Sequence, residues 1–167
     1  MGIEDILSER ARAYAHRRQL DLAERLGFGI HGMVCVTENK RKAGRSAIKV
    51  HKEAGPFERE LAAYGRLTES AVIEICGFHV PRLIGANTEL LVIEMTIVSR
   101  PFLLDFAGAY LDKPPEFPAS VWQEWEQEKQ EQFGARWPAV QEAIGRLQSF
   151  GIHMLDVSPN NIAFADE

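Results

Sequence analysis

The chain has 167 residues, 46% of them hydrophobic and 26% charged, which fits one globular domain or two small lobes sharing a core and argues against disorder. Lys plus Arg number 19 against 24 Asp plus Glu, a net charge of −5, and that acidic excess makes the chain a poor general nucleic-acid binder. Cys35 and Cys76 are too few for a disulfide framework and have no metal spacing, so both are expected as free buried thiols.

The opening MGIEDILSERARAYAHRRQ carries charges where a secretion signal has its apolar run, and no stretch reaches the roughly 20 apolar residues of a membrane span. The expected location is cytoplasmic, with no membrane partner.

In chain order, Ile3, Ile6, Leu7, Ala11, Tyr14 and Ala15 recur at helical spacing and predict a helix over 3–25, with Arg10, Arg12, Arg17 and Arg18 on another face. From Leu26 the texture becomes glycine-rich and β-prone. Met33–Thr37 and Ser46–His51, joined by a polar turn containing Lys40, Arg41, Lys42 and Arg45, predict a hairpin. Gly55-Pro56 opens a helix with Phe57, Leu61, Tyr64 and Leu67 on its apolar face and Glu58 and Glu60 in its first turns. Residues 77–84 and 89–95 read as strands around a Gly85-Ala86-Asn87 turn. Further on, Phe102–Leu111, Ser120–Phe133 and Trp137–Phe150 read as helical, the last ended by Gly151.

Three patterns carry chemistry. Gly27-Phe28-Gly29-Ile30-His31-Gly32 fits G-x-G-x-x-G, and because Val34-Cys35-Val36 after it reads as a strand, it lacks the helix of a dinucleotide fingerprint. On its own it is equally a plain glycine-rich hairpin. Ala47-Ile48-Lys49-Val50 sets a lone lysine inside an apolar strand; a carboxylate partner would make it a held charge suited to phosphate, and Glu60 on the next helix offers one. Asp156-Val157-Ser158-Pro159-Asn160-Asn161 spaces an Asp and an Asn so that a base can stand beside a metal ligand, or else is an ordinary Asp/Pro/Asn turn.

Taken in this order, the patterns resemble the eukaryotic-type protein-kinase superfamily, including its bacterial and small-molecule-kinase branches, over about Leu26–Phe164. The resemblance implies an α+β fold: residues 1–25 as a leading helix, 26–96 as a five-stranded antiparallel N-lobe with one packed helix, and 97–167 as a shortened helical C-lobe. It implies ATP as ligand, with Gly27, Gly29 and Gly32 over the phosphates and Val34, Ala47 and the backbone of Glu94–Thr96 around adenine. Ile93 lies near the gatekeeper position. The resemblance also makes Lys49 the phosphate-contacting lysine, Glu60 its partner, Asp156 the catalytic-loop base and Asn161 a Mg²⁺ ligand.

The chain departs from that pattern in three places. Met154-Leu155-Asp156 has no Arg before the Asp, which argues against control by a phosphorylated activation loop. Ser158 stands where protein Ser/Thr kinases carry a Lys, so the acceptor, protein or small molecule, is left open. No D-F-G follows Asn161, which removes the principal Mg²⁺ ligand and sets an active minimal kinase against a pseudokinase or interaction module. Asp166 is the one nearby substitute. Phe102, Leu103, Phe106, Tyr110, Trp122, Trp125 and Trp137 make either the helical core or, in part, a homo-oligomer face.

Overall fold

The computed structural model describes all 167 residues. Helix α1 (Ile3–Arg18) leads into strands β1 (Asp21–Phe28), β2 (Gly32–Asn39) and β3 (Gly44–His51), then helix α2 (Ala54–Glu69). Short strands β4 (Glu74–Ile75) and β5 (Phe78–His79) precede β6 (Leu83–Asn87) and β7 (Val92–Met95). The second half holds β8 (Phe102–Leu103), β9 (Tyr110–Leu111), α3 (Ala119–Phe133), α4 (Trp137–Gln148), β10 (Ile152–His153) and β11 (Ile162–Ala163). The class is α+β, built on a five-stranded sheet of order β1-β2-β3-β7-β6 in which every neighbouring pair is antiparallel. No helix is long and apolar enough to cross a membrane.

The sheet is covered on both faces, and strand periodicity decides which residues go where, because successive side chains point to opposite sides. On one face Met33, Cys35, Ile48, Val50 and Val92 pack against Leu7, Ala11 and Tyr14 of α1. On the other, Ala47, Ile93 and Met95 join Phe57, Ala63, Tyr64 and Leu67 of α2 in a 23-residue core that continues through Trp137, Val140 and Leu147 of α4. Lys49 therefore emerges on the α2 face. The buried stripe of α2 runs Phe57, Glu60, Ala63, Tyr64, Leu67, so a carboxylate occupies a core position of the helix, and Leu61 lies at its margin.

Several elements differ from the sequence expectation. Helix α1 ends at Arg18, not at residue 25, because Gln19 turns left-handed (φ 56°) and the Leu20 amide closes back on the Ala15 carbonyl at 2.8 Å. Residues 21–25 start the sheet instead, and α1 packs as a second helix on the face of that sheet opposite α2. Gly85-Ala86-Asn87 belongs to β6; the turn falls after it, where the Asn87 side chain accepts the Leu90 amide at 2.8 Å. Ser120 lies inside α3, behind Pro118 at the cap.

Residues 102–111 form no helix. Their amides find other acceptors: Leu104 donates to the Asn161 carbonyl, Asp105 to Tyr64 Oη and Phe106 to Glu60 Oε1. Cys35 is buried but Cys76 is exposed, at the tip of the β4–β5 hairpin, where Cys76 and Gly77 both take positive φ. Of the aromatic and apolar positions in question, Leu103, Phe106 and Trp137 are buried, Phe102, Trp122 and Trp125 half-buried, and Tyr110 exposed.

Candidate functional site

The inner face of the sheet and the second half of the chain meet in a cleft centred on Lys49. Its ammonium lies 2.8 Å from Glu60 Oε2 and 3.0 Å from Asp105 Oδ1, and the lysine is only 7% exposed. A buried ammonium is costly unless paired and hydrogen-bonded. Here β3 presents the charge, α2 presents one counter-charge and the segment after β8 presents another. Burial by itself would lower the Lys49 pKa, but Glu60 and Asp105 outweigh it and hold the group above its ordinary value. Burial pushes Glu60 the other way, towards protonation; Lys49 and His51 override it and keep the carboxyl below its ordinary range.

Glu60 is held on every side. Oε2 also meets His51 Nε2 at 2.7 Å, and Oε1 accepts the Phe106 amide at 3.2 Å. His51 is fully buried, with Nδ1 3.3 Å from the Leu91 carbonyl. Sequence reasoning passed over His51, although its place two residues after Lys49 puts it on the same face of β3.

Asp105 is the second residue that reading missed. It stands at φ 74°, a sparsely populated conformation for a residue with a Cβ, fixed by its amide bond to Tyr64 Oη at 3.2 Å and by the Ala107 amide on Oδ1 at 3.2 Å. Arg59 of α2 clamps the same segment through the Ala107 carbonyl at 3.0 Å. The helical reading of Phe102–Leu111 left Asp105 as one more helix residue.

Two cavities flank Lys49. One, of about 150 Å³, is mainly apolar and lined by Leu26, Val34, Ala47, Met95, Thr96 and Leu104, among others. The other, of about 650 Å³, lies beneath the β1–β2 loop and brings Gly27, Gly29 and Gly32 together with Lys49, Asp105, Asp156 and Asn161. Gly32 is there for a steric reason: a Cβ would come within 2.0 Å of the Val50 carbonyl oxygen, whereas a Cβ on Gly27 or Gly29 meets nothing within 4 Å. Lys52 holds the loop from below, its Nζ 2.7 Å from the Gly29 carbonyl. His31 at the loop is half-buried, beside Gly108.

The Asp156–Asn161 segment reaches the cleft through the pairing of β11 with β8, which sets Ile162 opposite Leu103. The Leu104 amide then donates to the Asn161 carbonyl at 2.9 Å, so Asp105 and Asn161 follow one another along a single strand pair. Asn161 Nδ2 donates to the Asp156 carbonyl at 2.9 Å and ties the two ends of the loop, while the Asp156 side chain is exposed.

Glu94 and Thr96 are placed differently from the rest. The Glu94 side chain points to the α1 face, where Tyr14 Oη (2.9 Å), Arg18 Nε (3.0 Å) and Ser46 Oγ (2.9 Å) donate to it, so only its backbone is near the cleft. Thr96 lines the apolar cavity, but its amide donates to the Arg82 carbonyl and its hydroxyl accepts the Arg82 amide; the wall continues through Ile97 and Val98. Asp166 is bound to Arg136 at 2.7 Å. No family model, curated protein or solved structure matches the chain.

Proposed function

We propose that the chain is a protein-kinase-like, ATP-binding protein, a minimal phosphotransferase that moves the γ-phosphoryl group of ATP to a hydroxyl acceptor. The observation that carries this reading is the buried Lys49–Glu60 ion pair, set between a glycine loop on one side and Asp156 with Asn161 on the other. A structural ion pair has no need of a glycine loop and a 650 Å³ opening beside it. On this reading the sheet with α2 is the N-lobe and the remainder a short C-lobe.

Each residue then has a task. Val34, Ala47 and Met95 face the adenine ring, and the β1–β2 loop covers the phosphates. Lys49 contacts the α- and β-phosphates and Glu60 keeps it aimed. Asp156 takes the proton of the acceptor hydroxyl as its oxygen bonds to the γ-phosphorus. The bond from that phosphorus to the β,γ-bridging oxygen breaks, and ADP leaves with the electron pair. Asn161 suits a Mg²⁺ ligand, because its amide nitrogen is already engaged with Asp156 and its carbonyl oxygen is the atom left over. When bound, Mg²⁺ neutralises charge on the transferring group.

The test is calorimetric titration of ATP into the wild-type protein and Lys49→Ala, followed by transfer from γ-labelled ATP to a pool of hydroxyl acceptors by wild type and Asp156→Asn. Lys49-dependent binding and an Asp156-dependent product are expected. Binding without such a product would leave a nucleotide-binding interaction module. Absence of binding would overturn the reading.

A further inference from the structure

We infer that a second ligand site lies on the α1 face of the sheet, where the cavity between the C-terminal end of α1 and the β2–β3 hairpin binds a small phosphomonoester through Arg18, Arg41 and Lys42. The cavity measures about 460 Å³, and only Leu20 and Ile84 among its walls are apolar. Glu94 and Ser46 line it as buried polar groups, whereas Arg18, Arg41, Lys42 and Arg45 reach it from exposed positions. Lys49 works on the other face of the sheet, so this site stands or falls independently of the nucleotide reading.

Charge selects an anion. The carboxylates around the opening are already answered: Glu94 by Arg18 at 3.0 Å, Glu24 by Arg45 at 3.0 Å, Glu38 by Arg45 at 3.5 Å and Asp21 by Lys40 at 3.4 Å. Arg41 and Lys42 pair with none of them. Two uncancelled positive charges therefore face one cavity in a chain whose net charge is −5. A phosphomonoester near neutral pH carries about two negative charges, and a guanidinium fork matches its oxygens in pairs.

The donors are held in place. Asn39 Oδ1 accepts the Arg41 amide at 3.0 Å and the Lys42 amide at 3.2 Å, which fixes the turn that carries both cations, and the Asn39–Gly44 register closes it. Arg18 commits Nε to Glu94 and leaves the Nη pair of its fork without a partner in the chain. Glu94 in turn accepts from Tyr14 Oη at 2.9 Å and Ser46 Oγ at 2.9 Å, and Ser46 Oγ meets Thr37 Oγ1 at 2.6 Å. With three donors on it, Glu94 aims Arg18 instead of repelling the ligand. The negative end of the α1 dipole is answered too, because the Gln19 and Leu20 amides cap the His16 and Ala15 carbonyls.

Attachment of α1 to the sheet does not require this polar row, since Leu7, Ala11 and Tyr14 already supply apolar packing against Met33, Cys35 and Ile48. The row lies at the end of α1 where the cavity opens. The positive charge is also local. Arg17, Lys40 and Arg45 at the margins are each neutralised by a neighbouring carboxylate, so they do not extend it into the basic track that a nucleic-acid backbone follows. A pocket of this size suits a small molecule.

The test is a titration of inorganic phosphate, and then of glycerol phosphate, into the 167-residue chain at constant ionic strength, followed by amide chemical shifts. Saturable shifts centred on residues 18–20 and 39–46 are expected with both, glycerol phosphate binding at least as tightly. Arg41→Ala and Lys42→Ala change exposed side chains and should each weaken binding by about tenfold. Lys40→Ala, on the same turn but outside the cavity and paired with Asp21, should change it by less than about twofold. Shifts that fail to saturate, an equal loss in Lys40→Ala, or shifts centred on residues 27–32 and 49 would each overturn the site. A short oligonucleotide or a phosphatidylserine vesicle that binds here while both phosphates do not would overturn the small-molecule ligand. ATP binding that depends on Lys49 is unaffected by any of these results, so the two readings fail separately.

Discussion

Glu60 Oε2 lies 2.7 Å from His51 Nε2, and that same oxygen is the one that accepts from Lys49. One carboxylate thus anchors two buried side chains of β3 to α2, beside the apolar packing of Phe57, Ala63, Tyr64 and Leu67. Three groups with under a tenth of their surface exposed share this contact, which makes its removal expensive and its effects non-additive.

Glu60→Ala is expected to destabilise the fold by about 3 kcal/mol, the lower end of what breaking a buried pair costs, because Asp105 still faces Lys49 while the buried His51 imidazole and the Phe106 amide lose their acceptor. The double variant Lys49→Met/Glu60→Leu should cost less than the sum of the single changes, since the Lys49–Glu60 contact is lost only once, although Asp105, His51 and the Phe106 amide each lose a partner. Urea unfolding of the singles and the double measures this coupling; simple additivity would contradict the arrangement.

The acid side of the stability profile follows from the same carboxylate. The Glu60 pKa is lowered in the folded protein from an ordinary value of 4.5, after Lys49 and His51 override its burial. The folded state therefore favours the ionised form, and the stability this adds is present above the ordinary carboxylate pKa and lost as pH falls through the folded value. Glu60→Gln should flatten the decline in stability below about pH 4.5, because the substituted side chain does not titrate. Unfolding free energies of both proteins measured across the acid range test the sign; an equally steep decline in Glu60→Gln would refute it.

Among the loop glycines the expected costs separate sharply. Gly32→Ala drives a Cβ into the Val50 carbonyl and should cost about 1–3 kcal/mol or more, since backbone has to move. Gly27→Ala and Gly29→Ala meet open space and should stay within about 0.5 kcal/mol. Thermal melts of the three variants check the order, and nucleotide titration of the two stable ones then isolates the loop's part in binding.

Tyr14→Phe removes one of three donors to Glu94 and keeps the ring in its place under the sheet. A hydrogen bond to a buried carboxylate should be worth about 1.5–3 kcal/mol, and Arg18 and Ser46 remain to limit the loss towards the lower end. A denaturation series with Tyr14→Phe, Ser46→Ala and the pair would show whether α1 is locked to β3 and β7 through this single carboxylate.

Local pattern was enough for much of the architecture. The apolar run Ser46–His51 reads as a strand with Lys49 in its interior, and the helical spacing from Phe57 to Leu67 puts Glu60 within reach of it. Strand β3 and helix α2 meet there, with Lys49 Nζ 2.8 Å from Glu60 Oε2. The glycine loop, Lys49, Glu60 and Asp156–Asn161 follow one another in chain order, and all of them border the cleft.

Other features depended on contacts between residues distant in sequence. The apolar spacing of Phe102–Leu111 is compatible with a helix, and only the acceptors offered by Asn161, Tyr64 and Glu60 drew its amides away. The second carboxylate on Lys49 exists because of that capture. His51 reads as one more strand residue until α2 sets Glu60 against it, and Glu94 reads as a cleft residue until Tyr14 and Arg18 of α1 claim its side chain from the opposite face. Periodicity along one segment decides which face a residue takes. Which partner waits on that face is decided by long-range packing, because a buried polar group settles where its hydrogen bonds can be completed, and those partners are brought to it by the rest of the fold.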